Sequence, residues 1–133
     1  MSAEAPVPIL KEIKLETRDG MASNVKKNLE SFNMIVDFFT NDKIIKKHRY
    51  IDNKTKYQLL RVDEGEEELL KEFCFSEIKN FNYDAVVISD YNKGSVEYET
   101  VENLRKNFSG PIFVDTKKSG LARFESCFVK INQ

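Results

Sequence analysis

Residues 83–94 read Tyr-Asp-Ala-Val-Val-Ile-Ser-Asp-Tyr-Asn-Lys-Gly, and this stretch decides the fold. Its centre, residues 85–88, is a short apolar run that does not alternate with polar residues, which is typical of a parallel strand covered on both faces. A polar segment closed by a glycine follows directly. Ligands of open α/β sheets bind beyond the carboxyl ends of the strands, so the carboxylate of Asp90 and the ammonium of Lys93 stand where a small polar ligand is expected.

The same pattern recurs after one predicted helix. Residues 111–114 are again apolar and lead into Asp115 and a lysine pair, and residues 96–107 carry apolar residues at helical spacing after Ser95, the expected N-cap. Strand, helix and strand of this length predict one right-handed βαβ unit. We expect the two acid-then-lysine strand ends to open side by side onto one hollow. The alternative is that Asp90 and Asp115 only cap turns.

Composition describes an ordinary soluble domain. The chain has 133 residues, of which 41% are hydrophobic and 32% charged, enough for one domain with one core. A net charge of -1 predicts no general attraction to nucleic acid or to anionic membranes. No apolar run approaches the roughly 20 residues that span a bilayer, and residues 1–8 lack the apolar core of a signal peptide. Cys74 and Cys127 have no CxxC spacing, which favours reduced thiols in a cytoplasmic protein, and a single histidine, His48, argues against a histidine-based metal site.

The rest of the chain predicts a small β lid and the remaining parts of an α/β fold. Alternation predicts a strand over residues 7–15, and apolar runs predict strands over residues 34–39, 44–51 and 57–62, the last two joined by a hairpin turn. A helix with a buried stripe of Val25, Leu29 and Phe32 is also expected, and Asp19 or Ser23 would be its N-cap. The remaining expected elements are one or two helices between residues 64 and 81, a turn or short helix over residues 120–125, and a strand over residues 128–131. That last strand would leave one face of the sheet poorly covered.

Two features of this part have both a structural and a functional interpretation. The basic run at residues 46–49 is usually a solvated face, but Lys47 and Arg49 share one parity and would point the same way, as on a phosphate-facing strand. Gly20 permits close backbone approach at a helix start, where free N–H groups attract anions and hydroxyls. One glycine before one helix is a weak signal alone.

Five stretches, in order along nearly the whole chain, carry a family resemblance. The most specific is Ser-Asp-Tyr-Asn-Lys-Gly at residues 89–94, which is close to Ser-Asp-Tyr-Gly-Lys-Gly. Residues 19–25 stand where the family has Pro-Gly-Gly-Ala-Ala-Asn-Val, and the other matches are residues 2–10, residues 59–63, and residues 114–117 with 130–132. On these motifs the chain resembles the sugar kinases of the ribokinase (PfkB) family, most closely the heptose 7-phosphate kinase domain of ADP-heptose synthesis.

The resemblance implies a fold and a reaction. The fold is a partial ribokinase-like α/β sheet of mainly parallel strands with helices, in one truncated domain over residues 1–133, with lid strands near residues 7–16 and 44–63 and an α/β part near residues 20–39 and 66–133. The reaction is phosphorylation of a sugar or sugar phosphate with ATP and Mg²⁺, by a cytoplasmic homodimer joined through the lid strands. The implied substrate-binding residues are Gly20, Asn24, Lys47, Arg49, Asp90 and Lys93, and the implied nucleotide- or phosphate-binding residues are Asp115 and Lys117.

Departures from the family pattern limit the expected activity. The Gly-Ala-Gly-Asp loop that carries the family's anion hole and base has no match, so no catalytic residue and no metal ligand is assigned, and the isolated chain is expected to be inactive. Met21 replaces the second glycine of the pair, and the segment between Phe32 and Lys46 is short. These two features favour the alternative, a non-catalytic module for sugar-phosphate binding or dimerisation. A third interpretation, an unrelated receiver-like α/β domain, rests only on Asp90.

Overall fold

The computed structural model describes residues 3–41, 43–66, 73, 78 and 80–131. Over these residues the fold is α/β, as predicted, with a two-stranded antiparallel sheet and a three-stranded parallel sheet. The elements are α1 (Met21–Ser31), β1 (Lys46–Ile51), β2 (Gln58–Glu64), β3 (Val86–Asp90), α2 (Tyr98–Asn107), β4 (Ile112–Thr116), a 3₁₀ turn (Leu121–Phe124) and β5 (Phe128–Lys130). No helix in the described ranges is both long and apolar enough to cross a bilayer.

The predicted βαβ unit forms the core of the molecule. β3 pairs with β4 and β4 pairs with β5, both in parallel. The apolar side of α2 packs on one face of this sheet, and the buried apolar side chains of this core are Val101, Leu104, Phe108, Ile112, Val114 and Phe124. The helix begins with a capping box between Glu97 and Thr100, in which a side-chain oxygen of each residue accepts the backbone N–H of the other. The expected Ser95 cap is therefore wrong, because the helix starts later than the sequence indicated.

The other face of the parallel sheet is largely exposed, although α1 lies against β3 and its Val25 borders the same hollow as Val87 and Phe113. Ile112 and Val114 are buried, but Phe113 between them is 42% exposed, because successive side chains of a strand point to opposite faces. We call the side that carries Val87, Phe113 and Phe128 the bare face; the two phenylalanine rings stack on it at 5.0 Å between centroids. The expectation that residues 85–88 are covered on both faces is wrong, whereas the expected poorly covered face is confirmed.

The predicted hairpin is also present, and we call β1 with β2 the lid hairpin. Its strands pair in antiparallel register from Lys46 opposite Glu64 to Ile51 opposite Gln58. In the connecting turn the carboxylate of Asp52 accepts the Thr55 N–H at 2.7 Å and the Thr55 hydroxyl at 2.6 Å. A short polar side chain that bonds the backbone ahead of it explains why the turn forms at the predicted place.

Several predictions outside these elements fail. Residues 7–15 and 34–39 are not strands; their alternation and apolar content match a strand, but the described residues supply no neighbouring strand to pair with them. In α1, Val25 and Leu29 are half-buried but Phe32 is 73% exposed, so the buried stripe is incomplete. No side chain caps α1, and Asp19 instead pairs with Lys27 at 2.5 Å. The helices expected between residues 64 and 81 lie mostly outside the described residues, and Cys74 lies wholly outside them. Cys127 is a free thiol.

Candidate functional site

A buried polar network closes the carboxyl ends of β3 and β4. Asp90 and Thr116 are each 4% exposed, and the Thr116 hydroxyl donates to Asp90 Oδ2 at 2.7 Å. Asp90 Oδ1 accepts the N–H of Asn92 at 2.8 Å, and Thr116 Oγ1 accepts the N–H of Lys118 at 3.0 Å. Each carboxyl oxygen thus has a protein partner, as a buried polar group requires. Asp90 holds in place the loop between β3 and α2, residues 91–97, which we call the β3–α2 loop.

The two strand-end carboxylates point away from each other. The register places Asp90 beside Thr116 and Ser89 beside Asp115. Asp90 therefore faces the side covered by α2, whereas Asp115 faces the bare face, where its carboxylate pairs with Lys130 at 3.0 Å. The expectation that Asp90 and Asp115 open onto one hollow is wrong, because the second aspartate stands one position earlier on its strand than the first. For Asp90, the turn-anchoring interpretation describes the geometry better.

The lysine pair after β4 divides between two environments. The side chain of Lys118 is only 7% exposed; its Nζ donates to Asn92 Oδ1 at 3.0 Å, lies 3.7 Å from a Glu97 oxygen and covers the Tyr98 ring. Lys117 extends over the ring of Tyr91, at 5.3 Å from its centroid. The sequence motif selected Lys117 and missed Lys118. The sequence signal for Lys118 was its position, because every second residue of β4, starting at Ile112, is buried and Lys118 continues that alternation.

A second cluster joins the lid hairpin to the β3–α2 loop. Lys47 Nζ donates to Asp63 Oδ2 at 3.1 Å and to Glu66 Oε1, and Lys93 Nζ lies 3.3 Å from Glu66 Oε2. Arg61 binds the same aspartate from the side, with Nε donating to Asp63 Oδ1 at 2.6 Å. We call these five side chains the lid cluster. It brings together Lys47 and Lys93, which the sequence placed in the site separately, through a glutamate that sequence reasoning missed.

The charges of the lid cluster reinforce one another. The hydrogen bond to Glu66 is the largest cause that raises the pKa of Lys47. The hydrogen bonds from Lys47 and then Lys93 lower the pKa of Glu66. The pKa of Asp63 lies far below its ordinary value, chiefly because Arg61 donates to it and secondarily because Lys47 does. Each of these three shifts, in the pKa of Lys47, Glu66 and Asp63, favours the charged form of the group.

Three other predicted site residues lie apart from these clusters. Gly20 is the N-cap of α1, and no atom of the described residues lies within 4 Å of where its Cβ would stand, so the space beside this glycine is open and the close approach expected there stays a prediction. Asn24 is exposed, and its N–H donates to the Gly20 carbonyl at 3.4 Å. Arg49 is exposed and stands opposite Arg61 in the lid hairpin. Their proposed contacts with a sugar remain predictions.

With this geometry in hand, comparison with known proteins finds a consistent set of relatives. The chain resembles the bifunctional protein HldE. It is 30% identical over 160 residues to that protein from Psychromonas ingrahamii, 27% identical over 148 residues to the one from Nitratiruptor sp., and 24% identical over 157 residues to the one from Histophilus somni. The matches cover 93%, 88% and 95% of this chain, respectively, but 32–33% of the relatives, so the chain spans about a third of the length of the HldE proteins it matches.

This similarity confirms the resemblance that the motifs indicated, to a heptose-kinase-like sequence. No family model matches the chain, and no solved structure matches it significantly. The likeness to HldE is therefore a likeness of sequence.

Met21, which stands where the motif of the resemblance has its second glycine, has a backbone conformation typical of glycine. Met21 has φ +51°, in the left-handed region that glycine adopts at little cost and other residues adopt at about 1–2 kcal/mol.

The two residues that the resemblance implies to bind nucleotide or phosphate, Asp115 and Lys117, fit that role only in part. Lys117 fits a phosphate, since its described contact is a tyrosine ring and not a carboxylate. Asp115 does not fit, because its anionic carboxylate is already paired with Lys130 on the bare face. Within the described ranges, no group of three or more His, Cys, Asp or Glu side chains is placed to hold a metal ion. No residue of the described chain is therefore assigned to Mg²⁺.

Proposed function

We propose that the chain supplies the phosphosugar-binding part of an HldE-like kinase, whose overall reaction would be ATP- and Mg²⁺-dependent phosphorylation of a heptose phosphate or related sugar. The observation that carries this proposal is the lid cluster. Two lysines from separate elements, Lys47 and Lys93, converge on one anionic group. Phosphate groups are bound by such convergent cations, with lysine acting as a point charge.

The same proposal holds that this polypeptide alone does not turn over substrate. Asp90, which the resemblance implies to be a substrate-binding acid, is buried, and both of its carboxyl oxygens accept hydrogen bonds, from Thr116 and Asn92. A general base must reach the proton that it abstracts, and this one is held by the fold. A cytoplasmic location belongs with the proposal and is supported by the free thiol of Cys127.

Two measurements test the proposal separately. Heptose 7-phosphate should bind the chain in isothermal titration calorimetry, Lys47→Ala and Lys93→Ala should each weaken binding by about tenfold or more, and Lys106→Ala, an exposed lysine on α2, should leave it unchanged. A coupled assay for ADP with Mg²⁺, ATP and heptose or hexose phosphates should show no turnover. Robust turnover, or binding that ignores both lysines, would overturn the proposal.

A second proposed function is dimerisation through the lid hairpin. Tyr50, Leu60 and Val62 share the hairpin face opposite Lys47 and are 45%, 51% and 45% exposed. A hairpin of two strands is marginal by itself, and burial of this apolar face against a second copy would stabilise it. Leu60→Lys should abolish the dimer and Leu59→Lys should preserve it, because adjacent residues of a strand lie on opposite faces. Sedimentation velocity measures the oligomeric state of both variants. Equal behaviour of the two variants would refute this arrangement.

A further inference from the structure

We propose that Glu66 is a built-in competitor of the phosphate group: its carboxylate occupies the anion position between Lys47 and Lys93, and a bound phosphate displaces it. The inference rests on the proposed function, since it assumes that the lid cluster receives the phosphate. It adds a residue that sets how tightly phosphate binds.

The geometry of Glu66 imitates that of a bound anion. Its two oxygens contact different cations, Oε1 with Lys47 and Oε2 with Lys93. One cation comes from the lid hairpin and the other from the β3–α2 loop, so a single carboxylate spans the space between two elements. All three side chains are partly exposed, at 26%, 35% and 27%, so a ligand can reach them from solvent. Phosphate oxygens offer the same acceptors as a carboxylate and more of them.

The charge of the lid cluster favours an exchange of Glu66 for phosphate. Lys47, Lys93 and Arg61 carry three positive charges, and Asp63 and Glu66 carry two negative charges, which leaves a net charge of +1. When Glu66 turns away, the remaining net charge is +2. That value neutralises the dianion of a phosphate monoester.

Of the two acids, Glu66 is the one that is free to leave. Asp63 lies inside the strand ladder opposite Lys47 and is held on both oxygens by Arg61. Glu66 lies beyond the last residue of β2 and follows Gly65, whose φ of +83° is a conformation suited to glycine. Its side chain can therefore rotate out without breaking a hydrogen bond between β1 and β2, and what it gives up are its own contacts with Lys47 and Lys93.

The experiment compares two carboxamide variants of neighbouring glutamates. Glu66→Gln keeps the shape of the side chain and removes its charge, whereas the control, Glu64→Gln, removes a charge that pairs with Lys46 and His48. The probe is inorganic phosphate in a low-salt buffer, followed by isothermal titration calorimetry. Glu66→Gln should bind phosphate about tenfold more tightly than the parent chain, and Glu64→Gln should stay within about twofold. Glu66→Ala should behave like Glu66→Gln, and Lys93→Met should abolish the gain in the Glu66→Gln background.

The outcomes separate this inference from the proposed function. If heptose 7-phosphate binds the parent chain and depends on Lys47, but Glu66→Gln binds phosphate no more tightly, the proposed function stands and Glu66 is not a competitor. If neither the parent nor any variant binds heptose 7-phosphate or inorganic phosphate, both fail. An equal gain in phosphate affinity in Glu66→Gln and Glu64→Gln would show that the gain comes from the change in overall charge, and this result would also overturn the inference.

Discussion

Replacing Thr116 by valine removes one hydroxyl group from the closed end of the parallel sheet and preserves the branched shape of the side chain. Thr116 is 4% exposed; its hydroxyl donates to Asp90 at 2.7 Å and accepts the Lys118 N–H at 3.0 Å. Valine can do neither. The substitution leaves one buried carboxyl oxygen and one partly buried amide without their partners.

The expected loss of stability follows from these two bonds. A buried polar group left without a partner costs roughly 1–3 kcal/mol, and the added methyl group of valine returns about 0.8 kcal/mol. With two such groups, Thr116→Val should therefore lower the free energy of unfolding by about 1–5 kcal/mol. A matched substitution is Thr55→Val, which breaks a hydroxyl bond of 2.6 Å to Asp52 in the exposed hairpin turn. Water replaces that bond, so the cost should be below about 1 kcal/mol.

Urea unfolding followed by circular dichroism and by the fluorescence of the five tyrosines measures both variants, since the chain has no tryptophan. The shift in midpoint converts to free energy only if the dependence on urea is unchanged. If Thr116→Val costs no more than Thr55→Val, then Asp90 is not anchored as described, and the assignment of Asp90 to a structural role is refuted.

Three further predictions concern other parts of the chain. Ile112→Ala should lower the free energy of unfolding by about 2–5 kcal/mol because the side chain is fully buried, and Phe113→Ala should lower it by less than half as much because Phe113 is partly exposed. Urea unfolding of the two variants measures both changes. Met21→Gly should raise the Tm in calorimetry and Met21→Val should lower it, because φ is positive there; the opposite order would contradict the strain. The pKa of Asp63 is depressed in the folded state, chiefly by Arg61, so its stabilising contribution is present above the ordinary value of 3.8 and is lost as pH falls below it. Acid unfolding should therefore be shallower in Asp63→Asn; an unchanged curve would refute the pairing.

The sequence predicted the elements whose signals are local. Apolar runs, helical spacing and turn residues located β3, α2, β4 and the lid hairpin, because each pattern describes residues that are close along the chain. The strand expected at residues 7–15 failed because alternation describes a surface and does not supply a partner strand. The predicted strands end two residues too early, at residues 88 and 114 instead of at Asp90 and Thr116. The register that turns Asp90 and Asp115 to opposite faces was not predictable in this way, because it is a relation between strands.

The site was predictable to the same degree. Motifs located Lys47 and Lys93, which the fold then brings together. Glu66 was missed because nothing in its neighbourhood in the sequence marks it; it acquires its place only when the lid hairpin and the β3–α2 loop meet. Lys118 was within reach of sequence reasoning, since parity along β4 separates it from Lys117.

The stacked rings of Phe113 and Phe128 have a practical consequence for anyone who handles this polypeptide. A solvated aromatic pair beside further aliphatic side chains should take up hydrophobic dyes, retain chaperones during purification and promote reversible clustering as concentration rises. Light scattering would count such clusters together with any dimer formed through the lid hairpin. Replacing Phe113 by serine should remove the clustering while leaving a hairpin-mediated dimer intact. Dimerisation through the lid hairpin is therefore best measured in this variant.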